Sequence, residues 1–242
     1  MIKNINNSEI KLPKAVLFDT DNTLYEYSTA NSSAEEAVFS KAKNLLGINS
    51  KQFSKMYKIA KAEIKSAIPS TASSHSRLLY FQRTIELLGH NAQLLLALDF
   101  EQTFWRTFLA NAYLFNGVKE TLLFFKEKKI PIGVVTDLTA QIQLRKLTYF
   151  GLENMFNAVV TSEEVGIDKP DKRNFTLALK KLDLSSKDHF WMIGDNPKAD
   201  IYGANQLGAT TFQKVHNFVK VGDCECKPDY IIHEYPNFLK SV

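Results

Sequence analysis

The chain has 242 residues, 45% of them hydrophobic, with 30 Lys and Arg against 26 Asp and Glu for a formal charge of +4. That size suits one large domain, or a domain carrying a smaller insert, with ample apolar material for a core. The basic residues are scattered or mixed with acids, as where Lys126, Lys128 and Lys129 straddle Glu127 at an expected helix end, and no apolar run is long enough to span a bilayer; nucleic-acid and membrane partners are therefore not expected.

The opening segment, MIKNINNSEIKLPK, lacks the apolar stretch of a signal peptide, so the chain is expected to be soluble and unprocessed. The first apolar run, AVLF, ends at Asp19. From about 26 to 113 only helical patterns follow. Ser32 and Glu35 form a capping box that predicts a helix carrying Val38 and Leu45 and closing at Gly47. Phe53, Met56, Tyr57, Ala60 and Ile64 continue at helical spacing, then Leu78 to Leu88 and Leu94 to Ala112, the last with Leu98, Trp105, Phe108 and Leu109. These stripes are expected to be core. Three more apolar runs then end in reactive or phosphate-binding residues: IPIGVV before Thr136, AVV before Thr161 and FWMIG before Asp195. Amphipathic segments at 139–150, 171–182 and 198–207 alternate with them, with Gly151 and Gly208 at expected helix ends. PDYIIHEYPNFL predicts a last strand and short helix. Cys224 and Cys226, the only cysteines, cannot supply a disulfide framework or a full metal cage, which fits a reducing, cytoplasmic compartment.

Short buried strands alternating with helices predict an α/β fold with a doubly wound, Rossmann-like parallel sheet. Ligands in such sheets bind beyond the carboxyl ends of the strands, where Asp19, Thr136 and Asp195 fall. The expected domains are a core of 1–25 and 114–242 and a helical insert of 26–113.

Asp19 and Asp21 in FDTDNTL can both turn toward one side as the chain leaves the sheet, and paired carboxylates suit nucleophile plus acid/base chemistry. Alone, the pair is equally a turn or a helix cap. A calcium loop begins this way too, but its sixth and twelfth positions are here Leu24 and Ala30, where Gly and Glu are needed. Thr136 offers a hydroxyl and the following N–H to a phosphate oxygen, although a Thr there also caps helices. Lys169 in GIDKPD brings a fixed positive charge, and GDNPKAD adds Asp195 and Asp200 as oxygen ligands suited to a hard cation.

Taken in order, FDTDNTL, VVTD, the lone KP and GDNPKAD resemble the four motifs of the haloacid dehalogenase-like hydrolase superfamily, and the helical insert resembles its C1 cap. The stretch FGLENMFNAVVTSEEVGIDKPD is similar to the pyrimidine 5′-nucleotidase and N-acylneuraminate-9-phosphate phosphatase subgroup. The resemblance implies a magnesium-dependent phosphatase of small phosphorylated metabolites, nucleoside monophosphates or sugar phosphates. Asp19 would be its nucleophile, Asp21 its acid/base and Thr23 the support of the intervening turn. Thr136, Asp137 and Lys169 would hold the phosphoryl group. Asp19, the Asp21 backbone carbonyl and Asp195 would hold Mg2+, with Asp200 and Asn196 orienting its water. Asp137 departs from the Asn common at that motif position, which bears on substrate choice.

As an acid, Asp21 must carry a proton when substrate binds, whereas a free Asp has a pKa of about 3.9, so its neighbours are expected to raise that pKa. Asp21 argues against dehalogenation, which needs no protonated leaving group. A phosphomutase of the same superfamily and a non-catalytic phosphate-binding protein are the alternatives. His75, Arg77, Tyr80, Arg83 and Arg106 in the insert either read the leaving group or serve packing and solubility.

Overall fold

The computed structural model describes residues 3–4, 10–217 and 219–242. In chain order the elements are β1 (Lys3–Asn4), β2 (Ala15–Phe18), α1 (Tyr27–Leu46), α2 (Ser50–Ala67), α3 (Arg77–Leu87), α4 (Leu94–Ala110) and α5 (Val118–Glu127). Next come β3 (Ile132–Thr136), α6 (Ala140–Tyr149), β4 (Ala158–Thr161), α7 (Ser162–Val165), α8 (Lys172–Lys181) and β5 (Phe190–Gly194). A π-helical turn, Pro197–Tyr202, runs into α9 (Gly203–Asn205), followed by β6 (Thr210–Lys214), β7 (Tyr230–Ile232) and α10 (Tyr235–Leu239). The chain divides into two compact units, Met1–Glu26 with Tyr113–Val242, and Tyr27–Ala112. Among the described residues no helix is long and apolar enough to cross a membrane.

The first unit is built on a sheet of order β1-β7-β6-β5-β2-β3-β4, parallel except for β1 on β7. The four apolar runs are strands because both faces of the sheet are covered, so no residue of AVLF or FWMIG reaches solvent. Alternation sorts their side chains. Ala15, Leu17 and Met192 pack with Phe175 and Leu179 of α8 on one face. On the other, Phe18, Phe125, Trp191, Phe212 and Phe238 form an aromatic layer, with Trp191 and Phe212 ring centroids 4.6 Å apart. β6, TTFQK, was not foreseen as a strand, since its apolar content is a single Phe.

The second unit pairs α1 with α4 and α2 with α3. Its core is aromatic: Phe53, Tyr57, Phe81, Phe100, Phe104 and Phe108 are buried, and Tyr57 stacks on Phe81 at 5.3 Å. Two expectations are corrected. Ser32 and Glu35 do not cap a helix start; they lie inside α1, which opens at Tyr27. Ala30 and Ala34 extend the buried stripe of Val38 and Ala42 back past Ser32, and bonds from Tyr27 to Asn31 and from Asn31 to Glu35, at 2.8 and 3.0 Å, reinforce that first stretch. Leu45 and Leu98 are 56% and 52% exposed, because the buried stripe of α4 runs through Ala97, Phe100, Phe104 and Phe108, one position aside from Leu98. Of the polar residues noted here, Arg77 packs over the rings of Tyr80, Phe104 and Trp105, and Arg83 pairs with Glu63 and Glu86.

Gly117 opens α5 at φ +84°, and a Cβ there would lie 2.6 Å from Pro236 Cδ at the start of α10. Gly117→Ala combines a left-handed cost of about 1–2 kcal/mol with overpacking of about 1–3 kcal/mol. Urea unfolding should show a loss of about 2–5 kcal/mol; a loss confined to about 1–2 kcal/mol would mean that α10 yields freely, and an unchanged midpoint would contradict both costs.

Candidate active site

The parallel register of β5, β2 and β3 sets the ends of three strands side by side. Asp19 follows β2 directly, and its N–H donates to the Ile193 carbonyl of β5 at 2.9 Å. Lys169, in the loop after α7, reaches back beneath these ends. Its Nζ donates to Asp19 Oδ1 and Asp200 Oδ1, each at 2.6 Å, and to the Val135 carbonyl at 3.0 Å. All three charged side chains are buried. Thr23 Oγ1 donates to the other Asp19 oxygen at 3.3 Å, and the Thr23 carbonyl is tied to the Tyr235 hydroxyl.

Asp200 comes this close because Gly194 has no side chain. A Cβ at 194 would stand 2.4 Å from Asp200 Oδ2 and 2.5 Å from its Cγ. Asn196 N–H donates to Asp200 Oδ2 at 2.9 Å, while Asn196 Oδ1 accepts from the Lys198 and Ala199 amides, so its oxygen starts the π-helical turn. Gln213 of β6, which the motifs did not single out, holds the Asp195 carbonyl at 2.9 Å.

Thr136 closes β3 in a hydroxyl chain. Its Oγ1 is 2.8 Å from Thr20 Oγ1 and accepts from Gln143 Nε2 at 2.8 Å, and the same amide donates to the Asp137 carbonyl at 2.7 Å. Asp137 does not point at solvent; its Oδ1 accepts from the Lys169 backbone N–H at 2.9 Å. Burial lifts its pKa to about 6 against the pull of Lys169.

Asp21 corrects an expectation. Burial alone would raise its pKa, but Lys146, by charge and hydrogen bond, with the Tyr25 and Thr20 hydroxyls, lowers it below the ordinary carboxylate value. Lys146 Nζ contacts both Asp21 oxygens, at 2.8 and 3.0 Å, and the Tyr25 hydroxyl donates to Oδ1. Gln143 and Lys146 sit one turn apart on α6, both about 1% exposed, and the sequence reading missed them. Their one signal was polarity on the buried side of an amphipathic helix.

Asp19, Asp195 and Asp200 each offer an oxygen within 4.8 Å of the others. Burial, opposed by Lys169 and reinforced by Asp200 and Asp21, lifts the Asp19 pKa to about 7. Burial and then repulsion from Asp200 and Asp19 lift that of Asp195 to about 9, and burial outweighs Lys169 to raise Asp200. Burial disfavours the Lys169 ammonium too, yet Asp19 and Asp200 hold its pKa well above the ordinary value, so it stays charged. One ammonium faces three carboxylates. Such a set fits a hard divalent cation, which takes oxygen ligands and supplies the missing positive charge.

Two outcomes follow from this crowding. Between the ordinary carboxylate range and about 9 the cation-free folded state holds protons that the unfolded chain has lost, so stability falls as pH rises through that window. A divalent cation takes over the role of those protons, and thermal unfolding with and without EDTA should show its stabilisation growing from about pH 5 to about pH 9; equal stabilisation at both ends would contradict this charge balance. Gly194→Ala, by displacing Asp200, should weaken cation binding about 10- to 100-fold in calorimetric titration while the fold persists.

The model of the haloacid dehalogenase-like hydrolases matches residues 13–208. A ribulose-1,5-bisphosphate 5-phosphatase of Halopiger xanaduensis is 38% identical over 198 residues, 81% of this chain and 82% of that one. A glyceraldehyde 3-phosphate phosphatase of Methanopyrus kandleri is 29% identical over 82% of each chain. Among solved structures, a phosphatase of this class from Thermococcus onnurineus superposes with a TM-score of 0.72 at 21% identity, over 93% of this chain and 96% of that one, and so shares the fold. The motif residues, the strand-end carboxylates and these matches agree: the chain belongs to the haloacid dehalogenase-like hydrolases and is a phosphatase of that family.

Proposed function

We propose that the enzyme is a magnesium-dependent phosphomonoesterase that hydrolyses small sugar phosphates through a phosphoaspartyl intermediate on Asp19. The observation that carries this reading is the buried contact of Lys169 with Asp19 and Asp200, beside Asp195. A carboxylate in that setting attacks a phosphate dianion only when positive charge offsets the repulsion. The sugar-phosphate class is supported by two relatives, each aligned over about four fifths of the chain and each named for a phosphorylated sugar.

In this reading the Asp19 oxygen bonds to phosphorus as the ester P–O bond breaks, and Asp21, ionised in the substrate-free site, takes up a proton as the phosphate dianion binds beside it and gives that proton to the departing alkoxide. Asp21 then takes a proton from the water that attacks phosphorus, which releases inorganic phosphate and restores Asp19. Lys169 neutralises phosphoryl oxygens, and the Thr136 hydroxyl, fixed by Gln143, holds one of them. Asp19 and Asp195, with the Asp21 carbonyl, would hold Mg2+, Asp200 completing the acidic set. Bound there, Mg2+ supplies charge neutralisation and in-line alignment of the phosphoryl group. Asp137, occupied with the Lys169 amide, fixes the loop that presents that ammonium. The helical unit Tyr27–Ala112 serves as the cap that selects substrate.

Phosphate release from a panel of sugar phosphates and nucleoside monophosphates, with Mg2+ or EDTA, tests the proposal. Wild type should release phosphate from sugar phosphates only with Mg2+, and Asp19→Asn should lose at least about a thousandfold in kcat. Preference for nucleotides would overturn the substrate class, and isomerised sugar phosphate without free phosphate would make the enzyme a mutase.

A further inference from the structure

Lys146 is a lysine with 1% side-chain exposure on α6, outside the motif residues given roles above. Burying an ammonium is costly unless a partner repays the lost hydration, and a Leu or Met would fill the same place on an amphipathic helix without that cost. The partner is Asp21, held at both oxygens. The Asp21 side chain is 33% exposed, so Lys146 grips it from the buried side and leaves part of it accessible. The grip is itself braced. Lys146 Nζ lies 5.8 Å from the centre of the Tyr25 ring, whose hydroxyl donates to Asp21 Oδ1, and Tyr25 packs on Phe150 just past the end of α6 at 4.9 Å. Thr20 Oγ1 adds a bond to the same oxygen at 3.2 Å.

We propose that Lys146 is the positioning residue for Asp21, returning its carboxylate to one fixed place between proton donation to the leaving group and proton removal from water. This rests on Asp21 being the acid/base. One group serving two successive proton transfers must meet two different oxygens, and a loosely held Asp at a turn after a strand would lose that aim. The two-point contact constrains direction as well as place. With Gln143 one turn earlier fixing Thr136, α6 aligns the acid/base and the phosphate-binding hydroxyl from a single rigid element.

A double-mutant cycle tests it, with wild type, Lys146→Gln, Asp21→Asn and the double variant assayed on a sugar phosphate, and Lys146→Arg and Lys146→Met beside them. Lys146→Gln should lose about 10- to 100-fold in kcat with KM within about threefold, and Lys146→Arg should recover most of that loss. In the Asp21→Asn background the same substitution should cost nothing further, because Lys146 acts only through Asp21. Formation of the phosphoenzyme from an aryl phosphate, whose leaving group needs no proton, should be spared. Equal losses in both backgrounds, or wild-type kcat in Lys146→Gln and Lys146→Met, would overturn the proposal alone. Wild-type kcat in Asp21→Asn would overturn the acid/base reading and this inference with it. Should Lys146→Gln fail to fold, the shape-matched Lys146→Met completes the same cycle.

Discussion

The ammonium of Lys169, buried between Asp19 and Asp200 at 2.6 Å from each, is the contact on which the carboxyl end of the sheet depends. It joins residues 150 and 31 positions apart in the chain. Without it, two carboxylates would face each other away from water, a repulsion relieved only by protonating one of them or by separating the loops after β2 and β5. The bare Cα of Gly194, the Asn196 amide on Asp200 and the Asp137 carboxylate on the Lys169 amide all serve to keep this one cation in place. Even so, the charge is not balanced. The raised pKa values of Asp19 and Asp195 express that deficit, which a hard divalent cation would offset.

A second layer of polar residues aims the first. Gln143 holds Thr136, Lys146 holds Asp21, and Gln213 holds the Asp195 carbonyl, each from the interior of a helix or strand. Buried polar groups of this kind are tolerated only when their bonds are made. Here those bonds reach the strand ends where Asp21, Thr136 and Asp195 gather, so the same contacts that satisfy the interior fix the geometry of the candidate site. In contrast, the helical unit is held mainly by rings, with Phe53, Tyr57, Phe81, Phe100 and Phe104 packed at 5.3 to 6.0 Å.

Much of this was legible in the chain. AVLF, IGVV, AVV and FWMIG announce parallel strands because a strand covered on both faces needs apolar side chains at every position. The strand TTFQK was not legible, since its Thr211, Gln213 and Lys214 are buried on the strength of bonds to Asp229, Lys220 and His233, partners that no local pattern names. The start of α1 was misplaced for a related reason: Ser32 is a good cap locally, but the packing of Ala30 and Ala34 extends the helix past it.

At the site the division is similar. Residue type and order singled out the side chains that gather at the strand ends, because a carboxylate pair, a hydroxyl, a lysine and two further acids can be recognised without knowing how they meet. Tertiary structure decided their electrostatics. Asp21 was expected to sit above its ordinary pKa and sits below it, because Lys146, 125 positions away, meets both of its oxygens. Charge interactions depend on distance and burial, and those are set by which strands lie side by side and which helix crosses them, not by neighbours along the chain.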